Sequence, residues 1–242
     1  MQKNYDFIII NFVNLWFTVC EKPKFNSMKF AVVLAGCGVY DGAEIHEAVM
    51  TLLAISKNKG TYQVFAPNVM QYHVINHISG DVMKESRNVM VESARIARGK
   101  IKPLIDYNPK DFDALVFPGG FGVAKNLCSY AFDGSEMKID RVVEKAIKET
   151  HSAGKPIGAL CISPVLVTKI LGNVEVTIGN DKKTAEHITT MGGVHKTTKN
   201  GEIVIDKKNR LVTSPCYMID AAITDIETGA DKTIKALISL MK

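Results

Sequence analysis

Cys161, Glu47 and the glycine pair Gly119-Gly120 are the residues whose types and settings could support chemistry on an electrophile. Cys161 lies in Gly158-Ala159-Leu160-Cys161-Ile162-Ser163-Pro164, after a short uncharged apolar run and before Val165–Leu171, which stops at Gly172. A strand passing into a helix at this point would project the thiol above a sheet. The first helical amides would then be aimed at Sγ, which lowers a thiol pKa and strengthens the nucleophile. A buried structural cysteine is the ordinary alternative, and the residues alone leave both open. Gly119 and Gly120 follow the apolar run Asp113–Phe117; glycines there let backbone approach a ligand and offer an amide to developing negative charge.

Glu47 sits on a segment that reads as an amphipathic helix, with Asp41 as N-cap and Glu44 three residues on in capping-box spacing. Ile45, Ala48, Val49, Leu52 and Leu53 recur at helical spacing and predict the buried stripe, which puts Glu47 on the opposite, solvent side. Glu47 nevertheless belongs to the first turns, where side chains lean towards the helix N-terminus. Cys37, Tyr40 and His46 flank the same glycine-rich turn, Gly36-Cys37-Gly38-Val39-Tyr40-Asp41-Gly42, and are candidate pocket residues. Cys37, His46, Glu47 and Cys161 are zinc-ligand types, but the Cys37–His46 spacing matches no metal motif. No metal and no other cofactor is expected.

These residues need a scaffold. Lys29–Ala35, Thr61–Ala66, Asp113–Phe117 and Pro156–Leu160 read as buried strands alternating with helices, the pattern of a parallel sheet covered on both faces. "PLIDY", Val174–Ile178, Ile203–Ile205 and Leu211–Thr213 are further strand candidates, and the last helix is expected from about Ala221 to Met241. Residues 71–107 break the rhythm as an insertion, with a hairpin turn at "NHISGD" and a helix from Arg87 to Arg98. In such sheets ligands bind beyond the carboxyl ends of the strands, so the loops carrying Cys37, Gly120 and Cys161 are expected to form one site. The prediction is an α/β three-layer sandwich in a single domain, residues 28–242, preceded by an extension, residues 1–27, outside the core.

Composition narrows the function classes. Thirty basic against 25 acidic side chains give a net charge of +5 with no dense basic run, so nucleic acid is not an expected partner. Phe7–Cys20 is apolar but too short to span a membrane, and it lacks the basic flank and cleavage site of a secretory signal; no membrane partner is expected. Five scattered cysteines, at 20, 37, 128, 161 and 216, fit reduced thiols in a cytoplasmic setting rather than a disulfide framework.

"GCGVYDGAEIHEAV", "VFPGGFGVAKNL", "GKPIGALCISP" and "TIGND…TAE" together resemble the ThiJ/PfpI superfamily over roughly Met28 to Lys242, and more narrowly its ElbB-type, "enhancing lycopene biosynthesis" or glyoxalase-like branch. The resemblance implies a flavodoxin-like fold related to class I glutamine amidotransferases, commonly dimeric. It also implies Cys161 as an elbow nucleophile, Glu47 beside it, and the Gly120 and Ile162 amides as the oxyanion site. Superfamily members act on glyoxals or glycated groups, as peptidases, or as chaperones. This chain departs from many relatives where histidine directly follows the cysteine: Ile162 stands there. No histidine-x-glutamate pair follows either, since His187 precedes Ile188 and His195 precedes Lys196. The expectation is therefore a homodimeric, cofactor-free, weak glyoxalase-like enzyme acting on small aldehydes or dicarbonyls, with a non-catalytic small-molecule or thiol-state sensor as the competing reading.

Overall fold

In the computed structural model, residues 28–241 are described; the sequence expectations for 1–27 lie outside them. Strand β1 (Lys29–Val33) forms because Phe30, Ala31, Val32 and Val33 are apolar on both faces, and all four are buried. Strands β2 (Thr61–Ala66), β3 (Ile101–Pro103), β4 (Ala114–Phe117), β5 (Ile157–Leu160), β8 (Val204–Asp206) and β9 (Leu211–Ser214) join it in one seven-stranded sheet of order β3-β2-β1-β4-β5-β9-β8. The register pairs Val32 with Val64 on one side and Val116 on the other. Both outer members are short: β3, with Pro103 opposite Ala66, and β8, antiparallel to β9. A small parallel pair, β6 (Glu175–Val176) with β7 (Val194–His195), forms a separate two-stranded sheet, tied to β8 where the Glu175 amide donates to Asp206.

Helices α1 (Ile45–Lys57), α2 (Val89–Ile96) and α7 (Ile223–Leu240) lie together on one face of the sheet, and α4 (Arg141–Ser152) with α5 (Pro164–Leu171) on the other. The one-turn α3 (Tyr130–Asp133) and α6 (Lys182–Thr190) stand beyond the strand ends. The result is the flavodoxin-like, three-layer α/β sandwich expected. Chain order reverses direction between β1 and β4, so the carboxyl ends of β1, β4, β5 and β9 frame a crevice. The residue 71–107 segment holds the expected hairpin, closed by an Ile75–Val82 bridge, and α2.

Three local expectations are corrected. "PLIDY" is mainly a 3-10 turn, Leu104–Asp106; the strand is the Ile101–Pro103 stretch before and into it. Helix α1 starts at Ile45 with Glu44, not Asp41, as N-cap, and Glu44 Oε2 accepts the Glu47 amide at 2.7 Å. Asp41 instead pins the insertion by accepting the Ile75 amide at 2.7 Å. The buried face of α1 carries Glu47, Ala48, Thr51, Leu52, Ala54 and Ile55, while Ile45, Val49 and Leu53 are each more than two-fifths exposed. Of the expected stripe, Ala48 and Leu52 are buried, but Ile45, Val49 and Leu53 turn to solvent. The inner face is narrow and small because α1 lies close to α7, to which Lys57 and Asn58 tie it through Glu227 and Asp231.

Candidate active site

Cys161 follows β5 on an elbow. Its φ is +59°, in the left-handed region that a non-glycine residue enters at a cost of about 1–2 kcal/mol. Its own amide donates to Ser214 O on β9 at 2.9 Å, and the Ser163 amide returns to Leu160 O at 2.9 Å. Pro164, whose missing N–H loses nothing at the first helical position, then opens α5. Ser163 is fully buried, and its hydroxyl donates to Pro118 O at 2.9 Å. That bond fastens the elbow to the glycine turn after β4.

Glycine at 119 is required by space. A Cβ there would lie 2.8 Å from Glu47 Oε2 and 2.9 Å from Cys161 Sγ, in the gap where those two groups meet. Gly120 has φ +102°, and its amide points at Sγ. Glu47, expected on the solvent side, is instead completely buried. Its Oε2 accepts the Gly119 amide at 2.9 Å, its Oε1 accepts the Tyr217 amide at 3.3 Å, and the carboxyl hydrogen-bonds the Cys161 thiol. Burial, with Glu44 nearby as a second anionic neighbour, pushes the Glu47 carboxyl up to about 8, so at neutral pH it holds its proton. Burial also pushes the Cys161 thiol well above its ordinary range, reinforced by Glu47 and by Cys216 and opposed by the Gly120 amide. Desolvation and a neighbouring carboxyl outweigh the amides, so the resting group is a thiol and not the partial thiolate that an elbow before a helix suggests.

Cys161, Gly120 and Ile162 line a cavity of about 420 Å³, with Glu44, Tyr217 and Phe121 among its walls. Of the residues singled out in the sequence, Cys161, Glu47, Gly119, Gly120 and Ile162 come together. Cys37, Tyr40, His46 and Gly119 are not among the residues lining that cavity, and neither is the fully buried Glu47. Cys37 turns towards Glu92 and Arg95 of α2. Tyr40 is exposed and packs its ring on His77 at 4.9 Å. His46 is exposed, but its Nδ1 is 2.9 Å from the Tyr217 hydroxyl, which makes it a neighbour of the wall. Tyr217 and Cys216, unpredicted as site residues, arrive on the loop after β9; a strand ending at Ser214 beside β5 was the signal for them. Neither downstream histidine reaches Cys161 as a base: His187 Nδ1 bonds the Tyr130 hydroxyl at 3.0 Å, and His195 Nε2 faces the Ile178 amide at 3.4 Å. Among the described residues no three His, Cys, Asp or Glu side chains converge in a way that could hold a metal ion.

A buried acid against an elbow cysteine, under a glycine turn, is the arrangement that the resemblance implied; comparison with known proteins gives the family. Residues 38–221 match the DJ-1/PfpI family. The chain belongs to that family. Over 222 residues, 88% of this chain and 83% of the relative, it is 46% identical to the human protein named glutamine amidotransferase-like class 1 domain-containing protein 3, mitochondrial. A solved structure from Ehrlichia chaffeensis, described as an isoprenoid biosynthesis protein with an amidotransferase-like domain, superposes with a TM-score of 0.84 at 39% identity, covering 89% of this chain and all of that one. Glyoxalase III of Candida albicans shares the fold, with a TM-score of 0.59 at 13% identity over 89% of this chain and 98% of that one.

Proposed function

We propose that this DJ-1/PfpI family member is a cysteine-dependent, glyoxalase-like enzyme that converts small dicarbonyls such as glyoxal or methylglyoxal to hydroxy acids. The observation that carries the reading is the Glu47 carboxyl, buried against the thiol of Cys161, which lines a cavity. The competent form has Glu47 deprotonated. It takes the thiol proton as Sγ adds to the aldehyde carbon, and the Gly120 and Ile162 amides hold the resulting oxyanion. Glu47 returns its proton to that oxygen, giving a hemithioacetal, and is again a base. It then removes the C–H proton to form an enediolate and delivers it to the adjacent carbon, while the hemithioacetal O–H proton passes to the neighbouring oxygen. The thioester left on Cys161 is hydrolysed by water, releasing the hydroxy acid and restoring the thiol. Nothing in this sequence consumes a cofactor or a metal.

The test is turnover of methylglyoxal by wild type and by Cys161→Ser. Without a histidine base, wild-type turnover is expected at or below the common enzyme median of about ten per second, and the serine variant should have none. Equal rates in both would overturn the mechanism. The elevated Cys161 thiol and the absence of a nearby histidine base favour one alternative, a non-catalytic thiol-state sensor. Stoichiometric modification of Cys161 without dicarbonyl turnover would support that instead.

The chain is also proposed to form a homodimer. Glu47 gives no support, because its own protomer covers it; the exposed Ile45, Val49 and Leu53 row on α1 does. Among the described residues no helix is long and apolar enough to cross a membrane. A cytoplasmic location remains part of this proposal against the mitochondrial name of the human relative, and fractionation of cells expressing the full chain distinguishes the two.

A further inference from the structure

The loop after β9 carries a second cysteine to the nucleophile. Leu160 and Ser214 are in register on neighbouring parallel strands, and the Cys161 amide that donates to Ser214 O also points at Cys216 Sγ. Tyr217, the next residue, donates its amide to the same Glu47 carboxyl that hydrogen-bonds Cys161. Two thiols therefore flank one acid. Both cysteines have left-handed backbone, with φ +59° at Cys161 and +43° at Cys216. The elbow accounts for the first. The reaction proposed above makes no use of the second, although it is buried beside the site in a conformation that side chains rarely adopt.

The two sulfurs differ in access. Cys161 lines the cavity, whereas Cys216 is not among the lining residues and its thiol lies 3.7 Å from the Ser214 hydroxyl, to which it donates. A small oxidant entering the cavity meets Cys161 first. Leu160 pairs with Ser214, so Cys161 stands one residue and Cys216 two residues past the paired strand ends; the Cys161 amide pointing at Cys216 Sγ brings that second sulfur back to Cys161. The other described cysteines are placed elsewhere: Cys37 faces α2, and the Cys128 thiol donates to Val123 O at 3.3 Å.

We propose that Cys216 is the resolving thiol for Cys161, capturing its peroxide-oxidised form as an intramolecular Cys161–Cys216 disulfide. In the first step deprotonated Glu47 takes the Cys161 proton as the sulfur attacks a hydroperoxide, the O–O bond breaks, and that proton passes to the departing oxygen, so the products are a sulfenic acid and water or an alcohol; sulfur loses the two electrons that the peroxide gains. In the second, Cys216 sulfur attacks Cys161 sulfur, an S–S bond replaces the S–O bond, and the departing hydroxide leaves as water with the Cys216 proton. Two equivalents of a small thiol return both cysteines to the reduced form. The inference rests on Cys161 being the reactive thiol of the proposed site, but not on dicarbonyl turnover.

The experiment is a peptide map of the full-length chain, reduced, titrated with hydrogen peroxide, blocked at free thiols and digested without reductant. The expected product is a Cys161–Cys216 linked peptide pair that dithiothreitol separates. In Cys216→Ala the same treatment should carry Cys161 on to sulfinic and sulfonic acids that dithiothreitol does not reverse. Alanine has the same left-handed requirement as the cysteine it replaces, and a melting curve checks the fold; the wild-type map decides the matter without the variant. Equal accumulation of sulfinic acid in wild type and variant, a link from Cys161 to another cysteine, or no oxidation of Cys161 would each overturn the proposal. A chain that lacks dicarbonyl turnover yet forms the link would fail the enzymatic reading alone.

Discussion

In the proposed reaction a single proton passes between Glu47 and Cys161, and the direction of the Glu47 shift fixes how rate should then depend on pH. A carboxyl raised to about 8 is protonated and idle as a base at pH 7, and becomes competent as pH rises through that value. The expected outcome is a kcat/KM for methylglyoxal that climbs between pH 7 and 9, with an inflection near 8. Glu47→Gln should remove the inflection and lower turnover by about 10²–10⁴-fold, the range for a positioned acid–base group. A flat wild-type profile across that interval would sink the assignment of Glu47 as base. Cys161 and the glycine pair were legible in the sequence because a strand, a tight turn and a helix start are each written in local residue types. Glu47's environment was not. It is made by Gly119 and Tyr217, whose amides come from distant parts of the chain, and no local pattern announces such contacts.

At the scale of elements, the elbow between β5 and α5 works only if it stays fixed against the turn after β4. Ser163 supplies that attachment through its buried bond to Pro118 O. Ser163→Ala would leave the carbonyl without this donor, at an expected cost of about 1–3 kcal/mol. Chemical denaturation should show the loss, and iodoacetamide should label Cys161 at an altered rate because Sγ is no longer held under the Gly120 amide. Unchanged stability and labelling would mean that the elbow holds itself. Sequence periodicity identified α1 as a helix and β1, β4 and β5 as buried strands, since an uninterrupted apolar run has few other uses. For α1 it put Ala48 and Leu52 inside rightly, and Ile45, Val49 and Leu53 wrongly. Ile45, Val49 and Leu53 satisfy a core pattern as well as Ala48, Leu52 and Ile55 do, and only the approach of α7 decides which set goes inside.

For the whole molecule, the outward row on α1 should make a twofold contact. Light scattering at micromolar concentration is expected to give a dimer, and Val49→Asp, which buries a charge in that contact, should give a monomer. Because Glu47 is covered within its own protomer, the Val49→Asp monomer should keep the wild-type rate of Cys161 alkylation. A wild-type monomer would remove the dimer, and a monomeric variant with altered Cys161 reactivity would show that the partner reaches the site after all.

The short outer strands bear on how two copies can meet. An open sheet can recruit a neighbouring chain by lending its unpaired backbone groups, and long flat margins invite runaway stacking into fibrils. Here one margin is three residues long and closes on Pro103, which has no N–H to lend; the other is three residues of reversed direction ending in Asp206, whose side chain is occupied by the Glu175 amide and by Asn209. Neither margin can template a further strand of useful length. Among the described strands growth edge to edge is thereby disfavoured, and the proposed dimer would form through the helical flanks, where a twofold contact completes itself and stops.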